Sequence, residues 1–287
     1  MRALASALAA LRRDTPWPIL AAPLLFFLAF FAAPLVVVLL ASVTAPNQGG
    51  WTRAHYARVL LDAYHWDILW LTLRIALTTT AIAMLLGYPL AYWLVRILEL
   101  RSLRRLCVIL LVIPLFTSNI VRSFGWMVLL GRVGLVNETL QGAGLIERPI
   151  RFLGSELGIV IGLVYILLPF VVLTTANAIA AIDRRLEEAA DDLGAGPARR
   201  FFTIVWPLSL PGLLSGAVIV FTLAVSAYVT PALLSSGRVT VFSMLIYQQY
   251  ASVFDFHYGG ALSITLLAAT LLLLWAAAAI DPARRRA

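Results

Sequence analysis

This sequence predicts an all-α integral membrane protein with six transmembrane helices, and three observations carry that prediction. Only 13% of the 287 residues are charged and 62% are hydrophobic, whereas soluble domains have about a quarter charged. The apolar residues gather into six runs of about 20 residues or more, the length a helix needs to cross the hydrocarbon layer. Those runs are continuously apolar and do not alternate with period two, which excludes a barrel of membrane strands. All 22 basic residues are arginine, for a net charge of +8. They flank the apolar runs, so they read as topology signals and not as a nucleic-acid surface.

The uncharged run over residues 15–52 far exceeds the roughly 7–15 residues of a cleavable signal's apolar core, so residues 19–43 are expected to stay as span one. Residues 45–68 form a polar outer segment with His55, Asp62, His65 and Asp67. Span two, 69–95, starts near Arg74, whose long stem lets its charge snorkel outward. Its far end holds Pro89, which should kink it. Tyr92 and Trp93 suit a membrane interface, and Arg96, Arg101, Arg104 and Arg105 stop it. The single cysteine, Cys107, reads as a small buried hydrophobe.

Span three, 106–130, is the most polar, with Pro114, Thr117, Ser118, Asn119, Arg122, Ser123 and Trp126. A charge inside a span needs a partner or water, so Arg122 either lines a solute path with Ser118 and Asn119 or snorkels to the outer surface. The outer loop 133–156 is expected to hold a short interfacial helix near 135–140, ended by Gly142 and Gly144. Span four, 157–182, carries Gly158 and Gly162, and span five, 211–234, carries Gly212 and Gly216. Such pairs let helices approach closely. On span five, Thr222, Ser226 and Thr230 fall at i, i+4 and i+8, one polar stripe, which either faces a path or bonds to a neighbouring helix. Tyr228 lies beside it, and with Trp126 and Tyr165 can offer an aromatic face to a cation. The outer segment 235–259 is rich in aromatics, and span six, 260–280, is closed by Asp281, Pro282 and Arg284–Arg286.

Arginine placement sets the orientation. The ends of the chain, the 96–105 loop and the 183–210 loop hold 14 of the 22. The opposite loops hold six: Arg53, Arg58, Arg132, Arg148, Arg151 and Arg238. The excess puts both termini and the 183–210 loop in the cytoplasm.

Much chemistry is excluded. With no lysine the chain has no phosphate-binding loop. There is no His-Glu-x-x-His, and the three histidines fall in outer loops, so no metal is expected. No carboxylate lies in a span, which argues against an aspartyl intramembrane protease and against a proton-coupled carrier. No catalytic residue and no cofactor is expected, and uphill transport would draw its energy from elsewhere. A secondary carrier or channel working alone is the alternative.

The 183–210 loop carries the most information. From Asp183 a helix is expected with Leu186, Ala189, Ala190 and Leu193 on one face and the acids on the other. Gly194 suits the position after a helix, and Pro197 the first turn of the next. Phe201, Phe202 and Val205 give that second helix its apolar face, and Pro207 and Pro211 should hand over to span five.

Glu188-Ala189-Ala190, three residues, Gly194, nine residues, Ile204, two residues and Pro207 resemble the EAA loop of ABC-importer permeases. The only departure is Trp206, where that pattern has leucine. Gly87–Ala91 (GYPLA), residues 117–137 and residues 226–234 (SAYVTPALL) extend the resemblance to permeases of the spermidine/putrescine type. The resemblance implies a single type I permease domain over residues 1–287 in a bacterial inner membrane. It pairs with a second permease subunit, in a heterodimer or homodimer, receives a small organic solute, polyamine-type first, from a periplasmic binding protein, and is driven by two ATPase subunits that hold the ATP and Mg. It assigns ATPase coupling to Glu188, Ala189, Ala190, Gly194, Gly196, Phe201, Ile204 and Pro207. Ser118, Asn119, Arg122, Trp126, Tyr165, Thr222, Ser226 and Tyr228 remain candidates for the solute path.

Overall fold

The computed structural model describes residues 17–45 and 50–280; the arginines at both ends of the chain, on which part of the orientation argument rests, lie outside them. Among the described residues every regular element is helical, and the only β-pairing is an isolated bridge between Thr44 and Trp51. Five helices are long and apolar enough to cross a membrane, and six if one sharply bent pair is a single span.

Helix α1 (17–43) reads as span one and contains one widened π turn at Leu28–Ala32, just before Pro34. Helix α2 (Ala54–Leu61) and the first turns of α3 replace the expected outer loop. Helix α3 (Ala63–Ile97) begins well before Arg74 because the Asp62 side chain accepts from the Tyr64 amide at 3.0 Å and caps it. At about 1.5 Å per residue its 35 residues reach ~50 Å, well beyond the ~30 Å hydrocarbon layer. It continues through Pro89 and widens into a π turn at Trp93–Ile97. The histidines are therefore helical, not in loops: His55 lies in α2, His65 in the first turn of α3, and His257 in that of α12 (Phe256–Ile280).

Span three is not one straight helix. Helix α4 (Arg101–Phe116, its last turn 3₁₀ from Ile113) and α5 (Asn119–Leu129) meet at 103°. Pro114 tightens the end of α4, Thr117 is extended, and the Ser118 hydroxyl accepts from the Ile120 amide at 3.3 Å to start a new helix. The polar residues that made this span unusual are the ones that break it. Helix α6 (Leu135–Gly142) matches the expected interfacial helix, with Gly144 at φ +69° beyond it. Helix α7 (Glu156–Ala181) is capped by Ser155, as α8 (Arg184–Asp192) is by Asp183.

Span five also departs from expectation. Helix α9 (Pro197–Ser226) runs unbroken from the hairpin into the membrane through Pro207 and Pro211. A π turn at Phe201–Val205 widens the helix ahead of Pro207, which relieves the clash between the proline ring and the carbonyl four residues back. The helix stops at Ser226, because Ala227 is extended (ψ 125°), and α10 (Val229–Leu234) follows in a new direction. Thr230 thus leaves the predicted stripe. It is buried, and its hydroxyl lies 3.1 Å from that of Ser123 on α5. Helix α11 (Phe242–Gln248) anchors the aromatic-rich segment 235–259 through Phe242, which is fully buried.

Helices α3, α7 and α9 pack together as the centre of the molecule, with Ile159, Val171, Val172 and Val220 at or near zero exposure. Gly212 and Gly216 bring α9 onto α7: a β-carbon on Gly216 would overlap Thr174 Oγ1 and approach Val171 Cα to 3.0 Å, and one on Gly212 would overlap Ala178 Cβ. This is the close approach that small residues give membrane helices. Helix α1 packs at the edge, against α12.

Candidate functional site

The hairpin is built as the sequence requires. Helix α8 ends in a Schellman turn: the Gly194 amide donates to Asp191 O and the Ala195 amide to Ala190 O, both at 2.9 Å, with Gly194 at φ +79°. That left-handed conformation is the one glycine adopts without strain. Gly196 then precedes Pro197, the first residue of α9.

The faces of α8 are arranged differently from the periodicity argument. Leu186 and Leu193 point outward, at 49% and 89% exposure, whereas Glu187 is buried. Its Oε1 lies 2.7 Å from Nη2 of Arg96, at the C-terminal end of α3, and its Oε2 3.7 Å from Nε of Arg200 on α9. Arg96 also donates to Ile182 O at 3.1 Å, and Arg200 Nη1 lies 2.5 Å from Asp191 Oδ2. Side-chain exposures of 8% for Arg96 and 11% for Glu187 make this a buried ion pair, worth far more when one partner is lost than a surface pair. It ties α3, α8 and α9 together, and a cleft of about 280 Å³ lies beside it, lined also by Tyr92, Arg184 and Glu188.

Phe201 is corrected in the same way. Its ring packs inward, 5.2 Å from Tyr92 and 6.0 Å from Tyr88, while Phe202 is 67% exposed. Tyr88 sits 4.7 Å from Trp206, and its hydroxyl lies 2.9 Å from Ser209 Oγ, a further tie between α3 and α9. Glu188, Ala189, Gly194, Gly196 and Pro207 are exposed, and Ala190 and Ile204 half-buried.

The path candidates fall into separate groups. Ser118 caps α5 and Asn119 and Arg122 lie in its first turn, where Arg122 Nη2 donates to Asn119 Oδ1 and its Nε and Nη1 are buried without a partner among the described residues. Trp126 and Tyr165 meet edge to face at 5.3 Å. Thr222 and Ser226 stay on an exposed face of α9, bonded to carbonyls of their own helix. Ser226 and Tyr228 line a cleft of about 360 Å³ with Ser243, Ile246, Tyr247, Tyr250 and Leu266. There Tyr247 stacks on Tyr228 at 4.2 Å. Sequence reasoning missed Tyr247 and Tyr250 as partners of Tyr228; the aromatic density of residues 235–259 was the available signal.

Comparison with known proteins bears on the family and the fold. The chain is 35% identical over 229 residues to the spermidine/putrescine transport system permease protein PotB of Salmonella typhimurium (strain SL1344), covering 79% of each. It is 34% identical over 229 residues to PotB of Escherichia coli (strain K12), covering 79% of this chain and 82% of that one. The molybdenum transport system permease protein ModB of Azotobacter vinelandii is 35% identical over 158 residues, 55% of this chain and 67% of that one. A bacterial ABC transporter involved in the import of the acidic polysaccharide alginate shares the fold, with a TM-score of 0.73 at 19% identity over 96% of this chain and 98% of that one. The family model described as binding-protein-dependent transport system inner membrane component matches residues 83–286. A helical membrane bundle, its apolar spans and a match over most of its length together place this chain: it belongs to the binding-protein-dependent transport system inner membrane components.

Proposed function

We propose that this chain is the permease subunit of an ATP-driven importer for polyamine-type organic cations, coupled to its ATPase through the 183–210 hairpin. The observation that carries this reading is the hairpin's construction. An exposed apolar edge (Leu186, Leu193) and the Glu188-Ala189-Ala190 segment project from a rigid glycine turn, while Glu187 holds the hairpin to α3 and α9. The projecting face suits a groove on a partner. The buried pair lets displacement of that partner move two spans together. In this reading two ATPase subunits bind ATP and Mg and engage the hairpins of this chain and of a second permease subunit. An external binding protein delivers the solute, and both termini face the cytoplasm.

The polyamine assignment follows the two PotB relatives and the cleft of Tyr228, Tyr247 and Tyr250, whose ring faces can attract an ammonium group. Arg122 does not line that cleft, so its charge is not set against a cationic solute there. Reconstitution with the ATPase, the second permease and the binding protein tests the reading. Polyamines should stimulate hydrolysis and enter only with ATP, while amino acids and phosphonates should not. Gradient-driven uptake by this chain alone would support a secondary carrier instead.

A further inference from the structure

Three of the six arginines assigned to the outer side gather around one cleft. Arg132 follows α5, Arg151 precedes α7 and Arg238 follows α10, and together with Leu130, Phe152, Leu153 and Ser236 they line a space of about 230 Å³. Leu130 and Phe152 are buried at 2% and 6% exposure, so the cleft has a packed floor. Arg132, Arg151 and Arg238 are all exposed, with the stem of Arg238 laid against Gly154.

No carboxylate among the described residues lies within 4.0 Å of any of the three. Arg74, by contrast, pairs with Glu156, and Arg58 lies 4.4 Å from the centre of the Tyr258 ring; Arg53 and Arg148 also have no carboxylate partner among the described residues, but neither lines this cleft. Arginine is depleted on the outer side of membrane proteins, and like charges brought together repel. Three unpaired guanidiniums from three loops therefore form a place that an anion stabilises. Each guanidinium can grip a carboxylate with two parallel hydrogen bonds, and the same charges would repel a cationic solute, which sets the cleft apart from the solute path.

We infer that the Arg132–Arg151–Arg238 cleft is the docking point for carboxylate side chains of the external solute-binding protein. The inference rests on the importer reading and on its topology. Opposed charges at such a surface steer the encounter and fix its register. They leave the transport step itself to the spans.

The test is the triple variant Arg132→Gln, Arg151→Gln, Arg238→Gln in the full complex in nanodiscs, with Arg53→Gln as an exposed outer control away from the cleft. The readout is the concentration of binding protein that half-maximally stimulates ATP hydrolysis, across a salt series. The triple variant should need about tenfold more binding protein at low salt, reach the same maximal rate, and converge with wild type as salt screens the contact. Arg53→Gln should not change, and unchanged basal hydrolysis in every variant will show that the complex is assembled. An unaltered half-maximal concentration overturns the inference. So does a shift seen only in nanodiscs with anionic lipid, which would assign the cleft to lipid headgroups. A wild-type complex that ignores the binding protein overturns the importer reading itself, and the docking point with it.

Discussion

Loss of Glu187 should release the hairpin from the bundle. In Glu187→Leu the buried Arg96 keeps only Ile182 O, and Arg200 keeps only Asp191. Removing one member of a buried pair costs about 3–5 kcal/mol. Because this pair borders a cleft open to water, the lower end applies, about 3 kcal/mol or roughly a hundredfold in the ratio of docked to released hairpin. Hydrogen exchange on the membrane-embedded protein reads that ratio directly. The amides of α8 should exchange roughly a hundredfold faster while those of central α7 keep their protection. The double variant Arg96→Met, Glu187→Leu separates the charge from the contact. It replaces the pair by apolar neighbours of similar volume, which is often neutral, so protection should return to within about tenfold of wild type. Wild-type exchange in the single variant, or no recovery in the double, refutes the anchoring role.

Two further predictions concern packing inside the bundle. Gly216→Ala should lower thermal stability by more than about 1 kcal/mol, because its β-carbon meets α7 side chain and backbone. Gly142→Ala, in open space on α6, should be neutral or slightly stabilising, and equal effects would contradict the close α7–α9 approach. A double-mutant cycle of Ser123→Ala and Thr230→Val should return a coupling of about 0.6 kcal/mol, the average for hydrogen bonds between membrane helices. A coupling indistinguishable from zero would argue against the α5–α10 contact.

Spans one, four and six were legible because long apolar runs have one stable solution in lipid, and Gly194 and Pro197 marked the hairpin turn because few residues tolerate those positions. The breaks at Thr117 and Ala227 were not. Both lie inside apolar runs, and hydropathy does not register a change of direction. Pro207 and Pro211 misled in the opposite sense, since the helix passes through both, with a π turn just ahead of Pro207. The hairpin's polarity was missed for a deeper reason. Periodicity separates the faces of α8, but which face is buried depends on what the bundle offers there. The C-terminal end of α3 offers Arg96, 91 positions before Glu187 in the sequence, so Glu187 turns in while Glu188 and the leucines stay out. Glu187, with Arg200 and Asp191, is thus the anchor of the 183–210 loop, and its apolar edge is left free for a partner.

The ratio of ATP hydrolysed to solute imported, measured in the reconstituted complex, addresses that division most directly. Gly194→Pro forces the turn out of φ +79° and removes the amide that donates to Asp191, and Glu188→Arg reverses a charge on the exposed face. If the hairpin converts ATPase closure into movement of the spans, both variants will insert and hydrolyse ATP while uptake falls at least tenfold. Normal uptake at the wild-type ratio in both would contradict it.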